Sequence, residues 1–257
     1  MSTHDQAVRL LALHTEPALL KLVNVWDVVS TQVIADTAGV DAIATASHSI
    51  AASYGYPDGE HIPVDLMIEA VGRIADATEL PVSADLEAGY GEPGETVRKA
   101  IAVGIVGANI EDQMRPLREA VAAVEAVVAA GESEGIPFVL NARTDAYLRA
   151  GDRPSDEVLA DAVERGRAFL DAGAACVFVP GLLDEPTITA LVEAYGERRL
   201  SVIGVPGTLP LERLEQLGVA RISYGPFSQQ VALTALQDFA VDIVAGGALP
   251  EGTRRLN

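Results

Sequence analysis

Cysteine and long apolar segments are scarce in this sequence. Its 257 residues include one cysteine, Cys176, so no disulfide can form within the chain, and we expect a reducing compartment, the cytoplasm. The N-terminal residues show no basic segment followed by a long apolar stretch, so we predict no signal peptide. No segment is apolar over the length that a transmembrane helix requires, so we expect no membrane partner.

Basic side chains are scarce too. Lys and Arg number 18 against 37 Asp and Glu, and the formal net charge at pH 7 is −19. A surface of this charge repels nucleic acid and anionic lipid, so we exclude both as partners. An anionic small molecule must then be attracted by a local cation or a bound metal ion, because the overall field opposes it.

A regular alternation of short β-rich segments and longer helical patterns runs through the chain. Strands are predicted at 22–27, 41–47, 81–87, 107–112, 138–144, 176–181, 200–205 and 221–226. Helical patterns rich in Ala, Leu, Val and Glu lie between them, for example at 63–79, 117–134, 154–171 and 228–245. Such alternation indicates parallel strands joined by helices.

Eight strand–helix units predict an α/β fold of the (β/α)8 barrel type. The rival architecture, a doubly wound open sheet, lacks support because no G-x-G-x-x-G motif follows the first strand. The chain has no linker or low-complexity segment, so we predict a single barrel domain over residues 1–257.

Most of the predicted strands begin apolar and end polar. Five of their ends read WD, TAS, ADLE, NIED and NARTD. Strands of a parallel barrel are buried on both faces, so they are expected to be apolar throughout. Active sites of such barrels lie at the carboxyl ends of the strands, and this pattern therefore predicts an enzyme.

Two neighbouring predicted strands end in acidic side chains. The segment PVSADLE carries Asp85 and Glu87, and the segment GANIED carries Glu111 and Asp112. Side chains alternate along a strand, so we predict that Asp85 and Glu87 share one face. Glu111 is expected to join them from the next strand, with Asp112 on the opposite face. Glu87 and Asp112 could each instead be a solvated loop acid.

Converging carboxylates at these strand ends suggest a metal site. They repel one another unless some of them bind a proton or a cation lies among them. No His or Cys lies in the two strand ends, so every donor is an oxygen atom, which favours Mg²⁺ and then Mn²⁺. The predicted ligands are Asp85, Glu87 and Glu111, some of them acting through water.

The fifth predicted strand carries an arginine near its end. In NARTDAYL, Asn141, Arg143 and Asp145 share one face. An arginine at a buried strand end needs an anionic partner, which is either a carboxylate of the protein or the anionic end of a ligand.

The loop after the second predicted strand reads TASHSIAASYGYPDGE. Ser47, His48 and Ser49, together with backbone N–H groups, form a plausible rim for binding an anion. His48 and Asp58 each have a simpler interpretation, as a hydrogen-bonding residue and as an ordinary turn aspartate.

Seven motifs together carry a resemblance to a known family. They are NVWD (24–27), TASHSIAASYGYPDG (45–59), DLEAGYG (85–91), NIED (109–112), NARTDAYL (141–148), FVPG (178–181) and RISYGP (221–226). In this order and combination the chain resembles the isocitrate lyase/phosphoenolpyruvate mutase superfamily, from about residue 20 to residue 238.

The resemblance implies a fold, an assembly and a chemistry. The fold is a (β/α)8 barrel whose C-terminal helix is swapped between subunits, and the assembly is a homo-oligomer, commonly a dimer of dimers. Members bind Mg²⁺ and break or rearrange a C–C or C–P bond of a small 2-oxo acid or enolpyruvate. The reaction passes through an enolate-like intermediate.

The resemblance also implies residue roles. Asp85 binds the metal, and Glu87 and Glu111 support it directly or through water. The expected catalytic residues are Asp58, Glu111 and Arg143. The expected substrate-binding residues are Trp26, Ser47, His48, Ser49, Asn141 and Arg143.

Two departures from the family pattern bear on the reaction. The second acid of the strand-end motif, usually Asp, is Glu87 here. The segment EDQMRPLREAV has no Cys, His or Lys, whereas isocitrate and methylisocitrate lyases carry K-[KR]-C-G-H there and the mutases carry a Lys in a longer loop. Arg115 and Arg118 are the nearest cations, so the usual isocitrate lyase reaction is not expected.

Several functional hypotheses remain open at this point. The first is a Mg²⁺-dependent lyase-type enzyme, and its main alternative is a carboxyphosphonoenolpyruvate or phosphoenolpyruvate phosphonomutase. A relative that binds a metabolite without turning it over would fit the short loop. A Schiff-base aldolase is disfavoured, because neither Lys21 nor Lys99 lies at the end of a predicted strand.

Overall fold

The computed structural model describes residues 1–256 and contains a nearly closed barrel of parallel strands. The strands pair in the order β1-β9-β8-β7-β6-β5-β4-β3-β2. Their bounds are β1 (Leu20–Leu22), β2 (Asn24–Val25), β3 (Ile43–Thr45), β4 (Val82–Asp85), β5 (Gly107–Glu111), β6 (Val139–Arg143), β7 (Cys176–Phe178), β8 (Leu200–Ile203) and β9 (Arg221–Ser223). This arrangement confirms the predicted (β/α)8 fold.

The first predicted strand is divided in two. β1 pairs with β9 and β2 pairs with β3, and only Val23 separates β1 from β2. One short stretch of chain therefore joins both edges of the sheet, so nine assigned strands form an eight-stranded barrel.

Four helices agree within a few residues with their predicted bounds at 63–79, 117–134, 154–171 and 228–245, and residues 1–256 contain ten helices. They are α1 (Thr3–Thr15), α2 (Val28–Ala35), α3 (Ser47–Ser53), α4 (Val64–Asp76), α5 (Pro93–Ala102), α6 (Leu117–Ser133), α7 (Ser155–Asp171), α8 (Glu185–Tyr195), α9 (Leu211–Gln216) and α10 (Phe227–Val244). Proline directly precedes five of them, at 63, 116, 154, 210 and 226. The proline ring fixes φ and removes an N–H donor, so each proline marks a helix start.

The amino ends of the strands are covered by α1. Ala7, Leu10 and Leu13 on this helix are buried. Gly107, the first residue of β5, lies against Leu10, since a Cβ atom there would come within 2.8 Å of the Leu10 Cδ2 atom. Covering this end leaves the carboxyl ends of the strands as the open face of the barrel.

α10 leaves the barrel after its first turn. Gln229 is its one buried residue, and it donates through Nε2 to the Ser49 carbonyl oxygen on α3. From residue 230 onward the helix is exposed, and its exposed apolar side chains are Val231, Leu233, Leu236, Phe239, Val241, Ile243 and Val244. No helix within residues 1–256 combines the length and hydropathy needed to cross a membrane.

Candidate active site

A cavity of about 320 Å³ lies at the carboxyl ends of the strands. The last residues of five strands line it, namely Asp85, Arg143, Phe178, Ile203 and Ser223. Loop residues complete the polar part of the lining, and among them are Ser47, His48 and Asp58. Five residues predicted for the site from the sequence are thus brought together: Ser47, His48, Asp58, Asp85 and Arg143.

Asp85 is held at the cavity by the start of α3. Its Oδ2 atom accepts hydrogen bonds from the Ser47 backbone N–H at 3.2 Å and from the Ser47 hydroxyl at 2.8 Å. The Asp85 N–H donates to the Thr45 hydroxyl at 2.9 Å, which fixes the backbone at the strand end. Oδ1 accepts no hydrogen bond within residues 1–256, so it is free for a ligand.

Glu87 does not continue the alternation of the strand. β4 ends at Asp85, and Glu87 has a left-handed backbone with φ of 52°. Its Oε2 atom accepts a short hydrogen bond from the Glu60 N–H, and its Oε1 atom accepts one from the Tyr90 hydroxyl at 3.3 Å. Only 3% of Glu87 is exposed, so it is not a solvated loop acid.

Glu60 completes a link between two loops. Its Oε1 atom accepts a hydrogen bond from the Tyr90 N–H at 2.5 Å. The loop that carries Asp58 is thereby tied to the loop after β4. Glu60, Glu87 and Tyr90 all have positive φ values, and non-glycine residues hold such conformations only where surrounding contacts enforce them.

Arg143 pairs with two carboxylates of the protein. Its Nη1 atom lies 2.8 Å from Glu111 Oε2 and its Nε atom lies 2.7 Å from Asp145 Oδ1. The sequence left two kinds of anionic partner open for Arg143, a carboxylate of the protein or the anionic end of a ligand. The structure contains the first kind. Burial lowers the pKa of Arg143, but Glu111, Asp145 and Asp85 outweigh burial and raise it above its usual range.

Two of the buried acids hold their protons unusually well. Burial raises the pKa of Glu87 to about 7, assisted by the charges of Asp58 and Asp85. Burial also raises the pKa of Glu111 to about 7, because Arg143 is shared with Asp145 and does not fully offset the loss of solvent. A cation bound nearby would relieve this repulsion.

His48 and Asp58 face each other across the cavity rim. The distance from His48 Nδ1 to Asp58 Oδ2 is 3.6 Å, and each side chain is about half exposed, at 49% and 50%. This contact pairs an imidazole with a carboxylate at the edge of the cavity, where a ligand would enter.

Comparison with known proteins identifies the family. Residues 10–244 match the family model for phosphoenolpyruvate phosphomutase. The chain belongs to the phosphoenolpyruvate mutase family. Members related to this chain are lyases and phosphonomutases, so the superfamily and the enzyme class expected from the motifs are confirmed.

Three relatives show how far the similarity extends. An uncharacterized protein of Mycobacterium tuberculosis is 31% identical over 252 residues, covering 97% of this chain and 92% of that protein. The 2-methylisocitrate lyase of Shewanella oneidensis is 31% identical over 227 residues, covering 79% of this chain and 75% of the lyase. A crystal structure of a candidate phosphonomutase from Burkholderia cenocepacia has a TM-score of 0.86 and 38% identity, covering 92% of this chain and 99% of that one.

Several residues expected at the site of this phosphoenolpyruvate mutase family member do not line the cavity. Trp26 lies instead in a groove between α2 and α10, beside Val29, Val33 and Val231. Ser49 is fully buried in α3. The remaining three, Asn141, Glu87 and Glu111, also lie outside the lining.

Asp112 is structural rather than solvated. Its side chain is 1% exposed and Oδ2 pairs with Arg165 Nη1 at 3.1 Å. Oδ1 accepts from the backbone N–H groups of Met114 and Asp145. The solvated alternative for Asp112 is therefore wrong, because it joins the loop after β5 to the loop after β6 and to α7.

The loop after β5 is short in this family member. Only residues 112–116 separate β5 from α6. Gln113 and Met114 have φ values of 50° and 55°, so the chain turns sharply. Arg115 bends back toward the Ala88 and Asp112 carbonyl oxygens, at 3.5 Å and 3.4 Å, and Arg118 is exposed on α6. Neither arginine lines the cavity.

The predicted set of site residues omits several polar residues of the cavity region, among them Asn24 and Ser223, which line the cavity, and two residues that contact each other. Asn109 lines the cavity from β5, and Arg221 lies beneath it at the start of β9. The available signal was an arginine opening the apolar strand RIS, where a parallel barrel strand should be apolar.

Proposed function

We propose that this protein is a Mg²⁺-dependent enzyme that cleaves or rearranges a C–C or C–P bond of a small 2-oxo acid or enolpyruvate. The reaction would be of the lyase type and pass through an enolate-like intermediate. The observation that carries the proposal is the cavity at the strand ends, where Asp85 offers a free carboxylate oxygen beside Ser47, His48 and Asp58.

The donor chemistry of the site fits a hard divalent cation, Mg²⁺ or Mn²⁺. Asp85, Glu87 and Glu111 are all oxygen donors, and the pKa values of the two glutamates are raised by burial and by neighbouring negative charge. No three His, Cys, Asp or Glu side chains among residues 1–256 converge closely enough to hold an ion by themselves. Asp85 would therefore bind Mg²⁺ directly, and Glu87 and Glu111 would act through metal-bound water.

The metal would supply Lewis-acid charge to the oxygens of a 2-oxo acid. The residues of the chain would do the rest. Backbone N–H groups at the start of α3 and the His48 side chain would bind the substrate carboxylate. Asp58 would hold or receive a proton at the cavity rim, where His48 fixes its orientation.

Arg143 is proposed as a catalytic residue that acts at the cavity wall. It lines the cavity while Glu111 and Asp145 hold its guanidinium in place. A fixed guanidinium is a preorganised donor for an oxygen atom that gains negative charge during the reaction. Trp26, Ser49 and Asn141 would then support substrate binding through neighbouring residues. Asn141 does so by a hydrogen bond to Asn109 of 2.8 Å.

A phosphonomutase reaction is the second candidate function. It is favoured by the likeness to the Burkholderia cenocepacia structure, at 38% identity over 92% of this chain. Lyase-type cleavage is favoured by the likeness to the Shewanella oneidensis 2-methylisocitrate lyase. The short loop after β5, which carries no Lys, weighs against the mutase, and it also keeps a non-catalytic metabolite-binding protein as a third possibility.

The proposed assembly is a homo-oligomer in which α10 packs on a second copy of the chain. The exposed apolar side chains of α10 support it, because a helix that is apolar on all sides is normally buried. A dimer of dimers in the cytoplasm, with one barrel domain per chain over residues 1–257, remains our expectation.

A substrate screen tests the proposed function. Oxaloacetate, phosphonopyruvate, methylisocitrate and substituted malates would be incubated with the protein and Mg²⁺, and pyruvate and phosphate release followed. We expect turnover of one of them that stops on removal of Mg²⁺ and in the Asp85→Ala variant. Metal-independent turnover would refute the proposal. Formation of phosphoenolpyruvate from phosphonopyruvate, followed in the same incubations, or release of phosphate from it would shift the proposal to C–P chemistry.

A further inference from the structure

The barrel interior contains an arginine without a counter-ion. Arg221 is fully buried, and no carboxylate oxygen within residues 1–256 lies within 4.0 Å of it. Its Nη1 atom donates to the Ser83 hydroxyl at 3.2 Å, and its Nη2 atom donates to Asn109 Oδ1 at 3.1 Å. Its Nε atom has no hydrogen-bond acceptor within residues 1–256. Burying an unpaired charge is costly, so its presence calls for a functional reason.

Arg221 is charged at neutral pH in spite of its burial. Burial lowers the pKa of Arg221 to about 10, and the negative charge of Asp85 acts in the other direction. The neighbouring imidazole of His14 carries no charge. Burial and the charge of Arg221 lower the pKa of His14 to about 4, so its imidazole is neutral.

Arg221 differs in this respect from Arg143. The guanidinium of Arg143 is held by Glu111 and Asp145, and two negative charges therefore face one positive charge. The positive charge of Arg221 is shared only with neutral oxygen atoms. One of those oxygens belongs to Asn109, which lines the cavity.

The two hydrogen bonds to Asn109 orient its carboxamide. Oδ1 accepts from Arg221 Nη2 at 3.1 Å and from Asn141 Nδ2 at 2.8 Å, so both donors lie on its oxygen side. The Nδ2 group lies on the other side of the carboxamide and donates to no residue within 1–256. Because Asn109 lines the cavity, its N–H donors are available to a ligand oxygen.

We propose that Arg221 is a positioning residue of the candidate active site, acting through Asn109. It holds the Asn109 oxygen toward the barrel interior, so that the Nδ2 group is presented to a carboxylate oxygen of the ligand. An uncharged partner would hold the amide less firmly, since hydrogen bonds from a charged donor are stronger. The inference rests on the proposed binding of 2-oxo acid anions in the cavity.

A double-mutant cycle on oxalate binding tests this role. Oxalate with saturating Mg²⁺ is the probe, measured by isothermal titration calorimetry. R221M removes the donor and N109A removes the presented amide, and each is expected to weaken oxalate binding about tenfold, the value of one well-oriented hydrogen bond. Both changes remove the same contact, the hydrogen bond from the Asn109 amide to oxalate. The double variant should therefore bind oxalate no more weakly than N109A alone.

Two further variants separate positioning from folding. R221K retains a charged donor and should keep oxalate affinity within about threefold of the wild type. S83A removes the other partner of Arg221 and should leave oxalate affinity unchanged. R221M is expected to keep its Tm, because replacing an unpaired buried charge by an apolar side chain is often neutral or stabilising.

The inference and the proposed function fail in different ways. If the wild type binds no oxalate with Mg²⁺, both are overturned. If the wild type binds and either R221M or N109A binds equally well, only the role of Arg221 is overturned. The role of Arg221 is also overturned if the double variant loses as much binding free energy for oxalate as the two single variants together. Arg221 would then act independently of Asn109. If R221M does not fold, R221Q takes its place in the cycle: its uncharged amide should hold Asn109 less firmly and weaken oxalate binding, and wild-type affinity in R221Q would overturn the role of Arg221.

Discussion

Crowding of carboxylates is the dominant feature of this protein at the scale of single residues. Asp58 and Asp85 line the cavity, Glu87 is buried, and the Glu111 side chain is 12% exposed. One arginine, Arg143, is shared between Glu111 and Asp145. The repulsion is therefore only partly compensated by protein groups, which is why we place a divalent cation among these acids.

The stability of the metal-free protein should fall as the pH rises. Glu87 and Glu111 have pKa values raised from 4.5 to about 7, so the folded chain holds more protons than the unfolded chain between these values. Their contribution is complete below pH 4.5 and is lost as the pH rises through 7. We expect the free energy of unfolding without divalent metal to decrease by about 1–3 kcal/mol from pH 5 to pH 8.

Urea denaturation at several pH values measures this effect. The Glu87→Gln variant should flatten the decrease, since it removes one of the two shifted carboxyls. Glu125→Gln makes the same chemical change at an exposed position of α6 and should leave the slope as it is. Stability that rises over this pH range would contradict the assignment of raised pKa values.

The sequence predicts the residue types of the site better than their contacts. Asp85, Ser47 and Arg143 reach the cavity because each ends a strand or begins the helix after it. Asp27, one of the polar strand ends, instead caps α2 by accepting from the Ser30 N–H at 2.7 Å. A contact such as Arg221 to Asn109 crosses the barrel interior between strands far apart in sequence, so no local pattern reveals it.

At the scale of elements, the loops after α3 and β4 act as a linked pair. Glu60 joins them in both directions, since its N–H donates to Glu87 and its carboxylate accepts from the Tyr90 N–H. Asp58 lies two residues before this link. The position of Asp58 at the cavity rim therefore depends on Glu60.

Removing the Glu60 carboxylate should loosen this loop pair. Glu60→Gly accepts the left-handed backbone at φ of 62° without a side-chain penalty, and it removes the carboxylate together with some backbone restraint. We expect amide hydrogen exchange at Tyr90 to become about tenfold faster, the equivalent of one hydrogen bond, with faster exchange also in residues 55–61.

The Glu60→Gln variant is the matched control for this experiment. Its amide oxygen can still accept from the Tyr90 N–H, so exchange should stay close to that of the wild type. Unchanged protection in Glu60→Gly would show that other contacts fix the loop.

Element bounds differ from prediction where backbone geometry changes without a change in residue type. The predicted strand at 81–87 ends at Asp85, because Glu87 adopts a left-handed conformation that its side-chain contacts enforce. The predicted strand at 22–27 is interrupted at Val23. Before this residue the chain pairs with β9, and after it the chain pairs with β3. Helix starts were predicted more accurately, since a proline marks several of them.

At the scale of the whole molecule, α10 is a helix that packs on the barrel only at its start. It runs for 18 residues, and it buries only Gln229. Val231 is 71% exposed, Leu236 is 61% exposed and Val244 is 89% exposed. Such a surface is stable in water only when it is covered, and a second copy of the chain is the partner that we propose.

Charged substitutions on α10 should break the assembly. We expect the wild type to sediment as an oligomer and the V231E/L236E variant to shift to a smaller species with a lower Tm, because charges cannot be buried between the copies. V8E changes an apolar residue of α1 that is 47% exposed, and it serves as the control that keeps the wild-type mass. A wild type that sediments as a monomer at all concentrations would rule out the proposed packing.

The overall architecture follows from the sequence more completely than the assembly does. Strand–helix alternation and polar strand ends predict the barrel and the face that carries the site, because both depend on local periodicity. The proposed partner of α10, a second copy of the chain, would be chosen by contacts between copies, and no local sequence pattern predicts such contacts.

Calorimetric titration of oxalate tests the central claim of a Mg²⁺-dependent site for 2-oxo acid anions most directly. The wild type would be titrated with and without Mg²⁺, and the Asp85→Asn variant with Mg²⁺. We predict binding to the wild type only when Mg²⁺ is present, and no binding to Asp85→Asn. Oxalate binding of equal strength without Mg²⁺, or in Asp85→Asn, would contradict the account.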